Sequence, residues 1–173
     1  MTVEEIFSKI ALHMIEGVMI HEEMASYFAF LRLSNYEAVQ TKRYIDESKS
    51  LNQLYSYYIR HYGRLVPKPE IKTIPQVIPD SLYNHKVDDL TTNDVRQSVK
   101  DIFQLWVEWE KKTKELYECS YIDLIDNNAD VSAAMMVKQL LSEVDDELEL
   151  AKDYWYKLKN SNFDIVFIME EQK

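Results

Sequence analysis

The chain has almost nothing with which to turn. Of its 173 residues only two are glycine and four are proline, and three of the prolines fall between 67 and 75. A sequence so poor in turn formers breaks its backbone rarely and is built from long elements. Strong helix formers dominate on both sides of the proline stretch, so those elements are expected to be helices.

Periodicity places four of them. The first is expected from Val3 to Leu33, with Ile6, Ile10, Met14, Val18, Ala25 and Ala29 along one face. "SNYE" at 34–37 reads as a capping box that starts a second helix, which runs to about Tyr62. "HYGRLVP" ends it, with Gly63 free to turn left-handed and Pro67 blocking a restart. Residues 64–91 carry no helical period and are rich in proline and β-branched side chains. A helix of 25 residues is about 38 Å long, so a connection of this length can cross the whole bundle. The third helix is expected to start near Thr92 or Asn93, with Val99, Phe103, Trp106, Glu110, Thr113, Tyr117, Tyr121 and Leu124 on its buried stripe. "DNNAD" at 126–130 is a turn, and the fourth helix runs from Val131 to about Lys159. Residues 1–160 thus form one all-α four-helix domain. The tail 161–173, which contains "FDIVFI", is expected to dock on it or to sit in an oligomer contact.

Charge narrows the partners. The net charge is −10 with no local basic patch, which disfavours nucleic acid. No segment has the roughly eighteen uninterrupted apolar residues of a membrane span. "MTVEEIFSKI" carries acids where a signal peptide carries bases, so a cytoplasmic protein is expected. The single Cys119 rules out an internal disulfide and has no histidine close in sequence. With no glycine-rich phosphate loop either, no catalytic residues are assigned.

Each helix carries a glutamate on its expected apolar stripe: Glu22, Glu47, Glu110 and Glu143. Counted from the turns, the two acids of each hairpin sit within about one helical turn of the same height. Buried carboxylates at one level need cations, protons or hydrogen bonds to hold them. The plainer reading of each is local. Glu22 can bond a tyrosine, Glu47 can pair with Arg43 four residues earlier, and Glu110 can pair with Lys114 four residues later. The run Glu143, Asp145, Asp146, Glu147, Glu149 has the look of a solvated face. His21 points about 100° away from Glu22 around the helix, which suits packing or surface.

Four segments resemble the ferritin-like superfamily. "EEMASYFAFL" is similar to the start of a ferritin first helix, and "DESKS" to "YGRLV" to the second. "EWEKKTKELYECSYIDLIDNNAD" is similar to the third helix and its turn, and "LLSEVDDELE" to the fourth. The resemblance implies an up-down-down-up four-helix bundle with one long crossover between helices two and three. It implies Glu22 as a terminal metal ligand, Glu47 as a bridging one and Glu110 as the terminal ligand of the third helix. Glu143, Asp146 or Glu147 would be the acids of the fourth. It further implies iron as the metal, with manganese as the alternative that an oxygen-only set would suit; a homo-oligomer is expected from the apolar tail. The departure is that Ser50 stands where the family places a histidine. None of His13, His21, His61 and His85 falls at a ligand position in this mapping. An all-oxygen set favours hard ions over redox-active iron. The expected function is therefore a binding or assembly module with a degenerate or absent dinuclear site. The alternative is a metal-binding protein that oxidises or stores ferrous iron.

Overall fold

The computed structural model describes residues 1–67, 69–71 and 76–172. The remaining stretches of the crossover, with Pro75, and the last residue of the tail lie outside the described residues. The long elements are helices: α1 (Val3–Phe30), α2 (Ser34–Tyr62), α3 (Thr92–Asp126), α4 (Val131–Asn160) and a short α5 (Ile165–Glu170). Single 3₁₀ turns at Asp80–Leu82 and Val87–Asp89 interrupt the crossover. No strand occurs among the described residues.

Side chains cap the helices at most of their starts. Thr2 accepts from the Glu5 amide while the Glu5 carboxylate accepts from the Thr2 amide. Thr91 and Asp94 make the same reciprocal box at the head of α3, one residue before the expected start. Thr91→Ala is therefore expected to cost about 1 kcal/mol in chemical denaturation. A value within error of zero would mean that the crossover alone holds that end.

The junction of α1 and α2 differs from expectation. Arg32 takes a left-handed φ of 61°, its amide donates to Ala29 O, and the Leu33 amide donates to Phe28 O. This double closure of the α1 carboxyl end leaves Leu33 as the N-cap of α2. Ser34 is already helical, so the "SNYE" box does not form. Gly63 ends α2 with φ 65°, the conformation that glycine adopts without strain.

The architecture is an all-α bundle of two helical hairpins, α1 with α2 and α3 with α4, joined by the long crossover. Between the hairpins, α1 touches α3 and α2 touches α4. The hydrophobic core comes in two blocks. Trp106, Phe103, Phe28, Tyr36 and Met24 lie in one, and Ile6, Phe7, Ile10, Leu54, Tyr58 and Leu140 lie in the other. Gly17, Gln40, Arg43, Glu47, Glu110 and Thr113 are also buried and fall between these blocks along α1, α2 and α3, with the buried His21 at the edge of the first block beside Ile20.

Crossover and tail both pack on the first block. Val77, Ile78, Leu82 and Leu90 lie against it, and the Ile78 amide donates to Glu23 Oε1 at 2.9 Å. In the tail, Ile168 is fully buried, and Arg96 donates to the carbonyls of Asn162 and Phe163 at 3.0 Å each. No described helix is long and apolar enough to cross a membrane.

Candidate functional site

Each residue of an α-helix advances by about 100°, so a stripe stepped always by four drifts by about 40° per step. Stepping Met14, Val18, Glu22 along α1 accumulates that drift. The buried face alternates steps of three and four instead: Phe7, Ile10, Met14, Gly17, His21, Met24, Phe28. Glu22 is exposed, and α1 presents a glycine and a histidine to the interior. Asp146 is exposed on α4 for a similar reason, since the buried face there is Val137, Leu140, Val144, Leu148. Two of the six expected ligands thus stand outside the bundle interior.

The other four come inward. Glu47 and Glu110 are buried, and Glu143 and Glu147 are half-buried at the edge of α4. Glu110 is fully enclosed: its Oε1 accepts from Trp106 Nε1 at 2.9 Å and lies 3.4 Å from His21 Nε2. On the other side of the ring, His21 Nδ1 is 2.8 Å from Gln40 Oε1. His21 Nε2 makes no hydrogen bond among the described residues. Glu110 Oε2 has no hydrogen-bond partner among the described residues. Lys114, its expected partner, instead reaches Asp145 at 2.6 Å.

Glu47 makes no hydrogen bond among the described residues. A Cβ on Gly17 would lie 3.1 Å from Glu47 Oε1 and 3.4 Å from Trp109 Nε1. The absent side chain of Gly17 is therefore what lets the carboxyl and the indole approach α1. Burial pushes the Glu47 carboxyl up to about 7, helped by Glu110 and opposed by His21 and Arg43. Trp109 in turn stacks on His13 with ring centres 4.2 Å apart, and His13 Nε2 meets Thr113 Oγ1 at 2.7 Å. Because the Thr113 hydroxyl donates to Trp109 O, its oxygen accepts from the ring. Burial lowers His13 to about 4, which keeps it neutral. Burial first, then Glu47, Glu110 and Glu143, hold the Tyr117 hydroxyl protonated.

On the α4 side, Glu143 accepts from Ser50 Oγ at 3.3 Å and from Gln139 at 3.2 Å. Glu147 forms an ion pair with the buried Arg43. Arg43 was expected beside Glu47 on its own helix, but its guanidinium reaches across to α4. A cavity of about 10 Å³ remains among Glu47, Ser50, Tyr117, Glu143 and Glu147. That is close to the smallest space that admits one water. Among the described residues, no three or more His, Cys, Asp or Glu side chains are grouped so as to hold a metal ion.

The polar layer therefore contains Gly17 and His21, neither expected as part of a site, together with Gln40 and Trp109, which no motif marked, and Trp106 on its expected buried stripe. The signal for the first two was available in the three-four alternation set by Phe7, Ile10 and Met14. "EEMASYFAFL" drew attention to the neighbouring turn.

No protein-family model and no curated protein matches the sequence. Solved structures do match over almost the whole chain. A crystal structure of a PmFTN variant soaked in iron superposes with a TM-score of 0.75 at 10% identity, covering 98% of this chain and 96% of that one. A novel open pore ferritin from the hyperthermophilic archaeon Archaeoglobus fulgidus superposes with a TM-score of 0.73 at 14% identity, covering 98% and 94%.

Proposed function

We propose that this chain, a distant ferritin-like four-helix bundle, carries a degenerate form of the dinuclear carboxylate site and acts as a binding or assembly module. One observation carries the reading: α1 offers Gly17, not a carboxylate, to the space opposite Glu47, and the Trp109 indole stands beside it. A dinuclear centre needs donors from all four helices around a space for two ions. Here His21 is held between Gln40 and Glu110, and Ser50 replaces the nitrogen donor of α2. The room left is about that of one water. The residues present do not fit a pair of metal ions.

The assembly half of the reading draws on exposed apolar side chains. Val131 and Met135 lie one turn apart on α4 and are 63% and 55% exposed, and Val166 on α5 is 61% exposed. Such side chains are candidates for burial against a second copy.

A second reading keeps one observation in its favour. Glu47, Glu143 and Glu147 border a common cavity with Ser50, and an oxygen set of this kind suits a single hard ion such as manganese. Iron belongs to the neighbour that was soaked in it.

Metal analysis of protein purified without chelator separates the two. The expected content is well below one equivalent of iron or manganese per chain, with sedimentation showing a species larger than the 20.6 kDa monomer. One tightly held ion per chain would sink the first reading. A monomer at all concentrations would sink its assembly half.

A further inference from the structure

Buried acids can be held by protons, hydrogen bonds or cations, and one cation is covalently present beside these. Arg43 sits on α2 one turn before Glu47, with its side chain 8% exposed, and pairs with Glu147 of α4. Glu47 and Glu110 are buried nearby, and Glu143 borders the same cavity as Glu147. A guanidinium stays charged at any ordinary pH and presents several donors in a rigid plane. It is thus suited to serve more than one carboxylate.

Its position is also a position of access. The contact between α2 and α4 is thin, far sparser than that within either hairpin. A groove of about 330 Å³ runs over it, bordered among others by Arg43, Asp46, Ser50, Glu143, Asp146 and Glu147; its other cation, Lys49, is 65% exposed and turns to Asp46 at 2.8 Å. Four of those residues carry carboxylates, and three of the groove residues (Ser50, Glu143 and Glu147) also line the inner cavity beside Glu47. Glu147, the partner of Arg43, borders both the groove and the inner cavity, so the ion pair stands where the two meet.

We infer that Arg43 is the resident cation of this site, and that its tethered charge excludes divalent metal from the carboxylates Glu47, Glu143 and Glu147. The inference rests on the degenerate-site reading and deepens it. Arg43 is a positioning residue: it touches no substrate and acts through the acids it neutralises.

The test is manganese binding, measured by loss of the free Mn²⁺ EPR signal, for wild type, Arg43→Gln and Arg43→Lys. Wild type and Arg43→Lys, which keep the charge, are expected to show no saturable uptake below millimolar Mn²⁺. Arg43→Gln is expected to take up about one ion per chain at least tenfold more tightly. If neither wild type nor Arg43→Gln binds, the inference is overturned while the degenerate-site reading stands; if both bind equally well, both fall. If wild type binds and Arg43→Gln binds at least tenfold more tightly, the degenerate-site reading falls and the role of Arg43 survives. If Arg43→Lys binds as tightly as Arg43→Gln, the shape of arginine and not its charge is responsible, and the inference fails. Should Arg43→Gln be unfolded in metal-free buffer, recovery of its helical circular dichroism in Mn²⁺ supports the inference by linkage. Absence of recovery overturns it.

Discussion

Trp106→Ala is expected to destabilise the bundle by about 4 kcal/mol or more, through two separable losses. The indole is fully buried and packs against Phe103, Tyr154 and the His21 ring. Truncating a buried tryptophan to alanine typically costs about 3–5 kcal/mol, because the surroundings collapse only partly into the void. The second loss is polar. Trp106 Nε1 donates to Glu110 Oε1, and the other oxygen of that carboxyl has no partner among the described residues. Removing the donor leaves a fully enclosed carboxyl with only His21, a further penalty of about 1–3 kcal/mol. Trp106→Phe isolates this term, since it keeps most of the apolar volume and loses the N–H. Urea denaturation of both variants is the measurement. A Trp106→Phe variant as stable as wild type would mean that Glu110 does not depend on the indole.

The second large effect is a cancellation that mutation exposes. Glu47 moves from 4.5 to about 7 on folding, and His13 moves from 6.5 to about 4, each chiefly because burial disfavours its charged form. The signs are opposite. Glu47 has a raised folded value, so its contribution is fully present below pH 4.5 and is lost as pH rises through about 7. His13 has a lowered folded value, so its contribution is present above pH 6.5 and is lost as pH falls through about 4. At roughly 1.4 kcal/mol per pH unit, each window carries about 3 kcal/mol. Between pH 4.5 and 6.5 the two slopes offset each other, so wild type is expected to show a nearly flat stability profile there. Asp94, Asp123 and Asp130 are held below 3.8 and titrate beneath this window, while Glu16, raised from 4.5 by burial, adds to the falling side and tilts the profile slightly downward. Glu47→Gln removes the falling limb, and its stability is expected to climb with pH by up to about 3 kcal/mol. His13→Gln removes the rising limb and is expected to decline by a similar amount. Denaturant midpoints at pH 4.5, 5.5 and 6.5 read both slopes. A Glu47→Gln profile as flat as that of wild type would refute the pairing.

Other features were only half legible. Glu47 and Glu110 could be placed in the interior from sequence, because both lie on stripes whose apolar neighbours alternate by three and four. Glu22 could not be placed. Its stripe steps by four from Ile6 as far as Glu22, and the drift puts an exposed acid where Gly17 and His21 belong. Arg43 was legible as a partner for an acid, but the choice between Glu47 on its own helix and Glu147 on α4 depends on how the hairpins meet. The start of α2 was misread because "SNYE" satisfies a local rule. The competing closure at Arg32 and Leu33 belongs to the helix before it.

By itself the sequence determined long helices, a single crossover and two hairpins. Those follow from local matters, namely where turn formers are missing and how apolar residues recur. The expectation that acids lie at similar heights likewise came from local counting, since height is a count of residues along a helix. Only the tertiary structure decided which way each acid faces, and what answers its charge. Facing depends on the rotation of each helix about its own axis, which packing against the others sets. Trp106 answers Glu110 from one turn earlier on its own helix, but the other contacts depend on which foreign side chain arrives within reach, and so His21 and Arg43 acquire their roles only when the two hairpins close on each other.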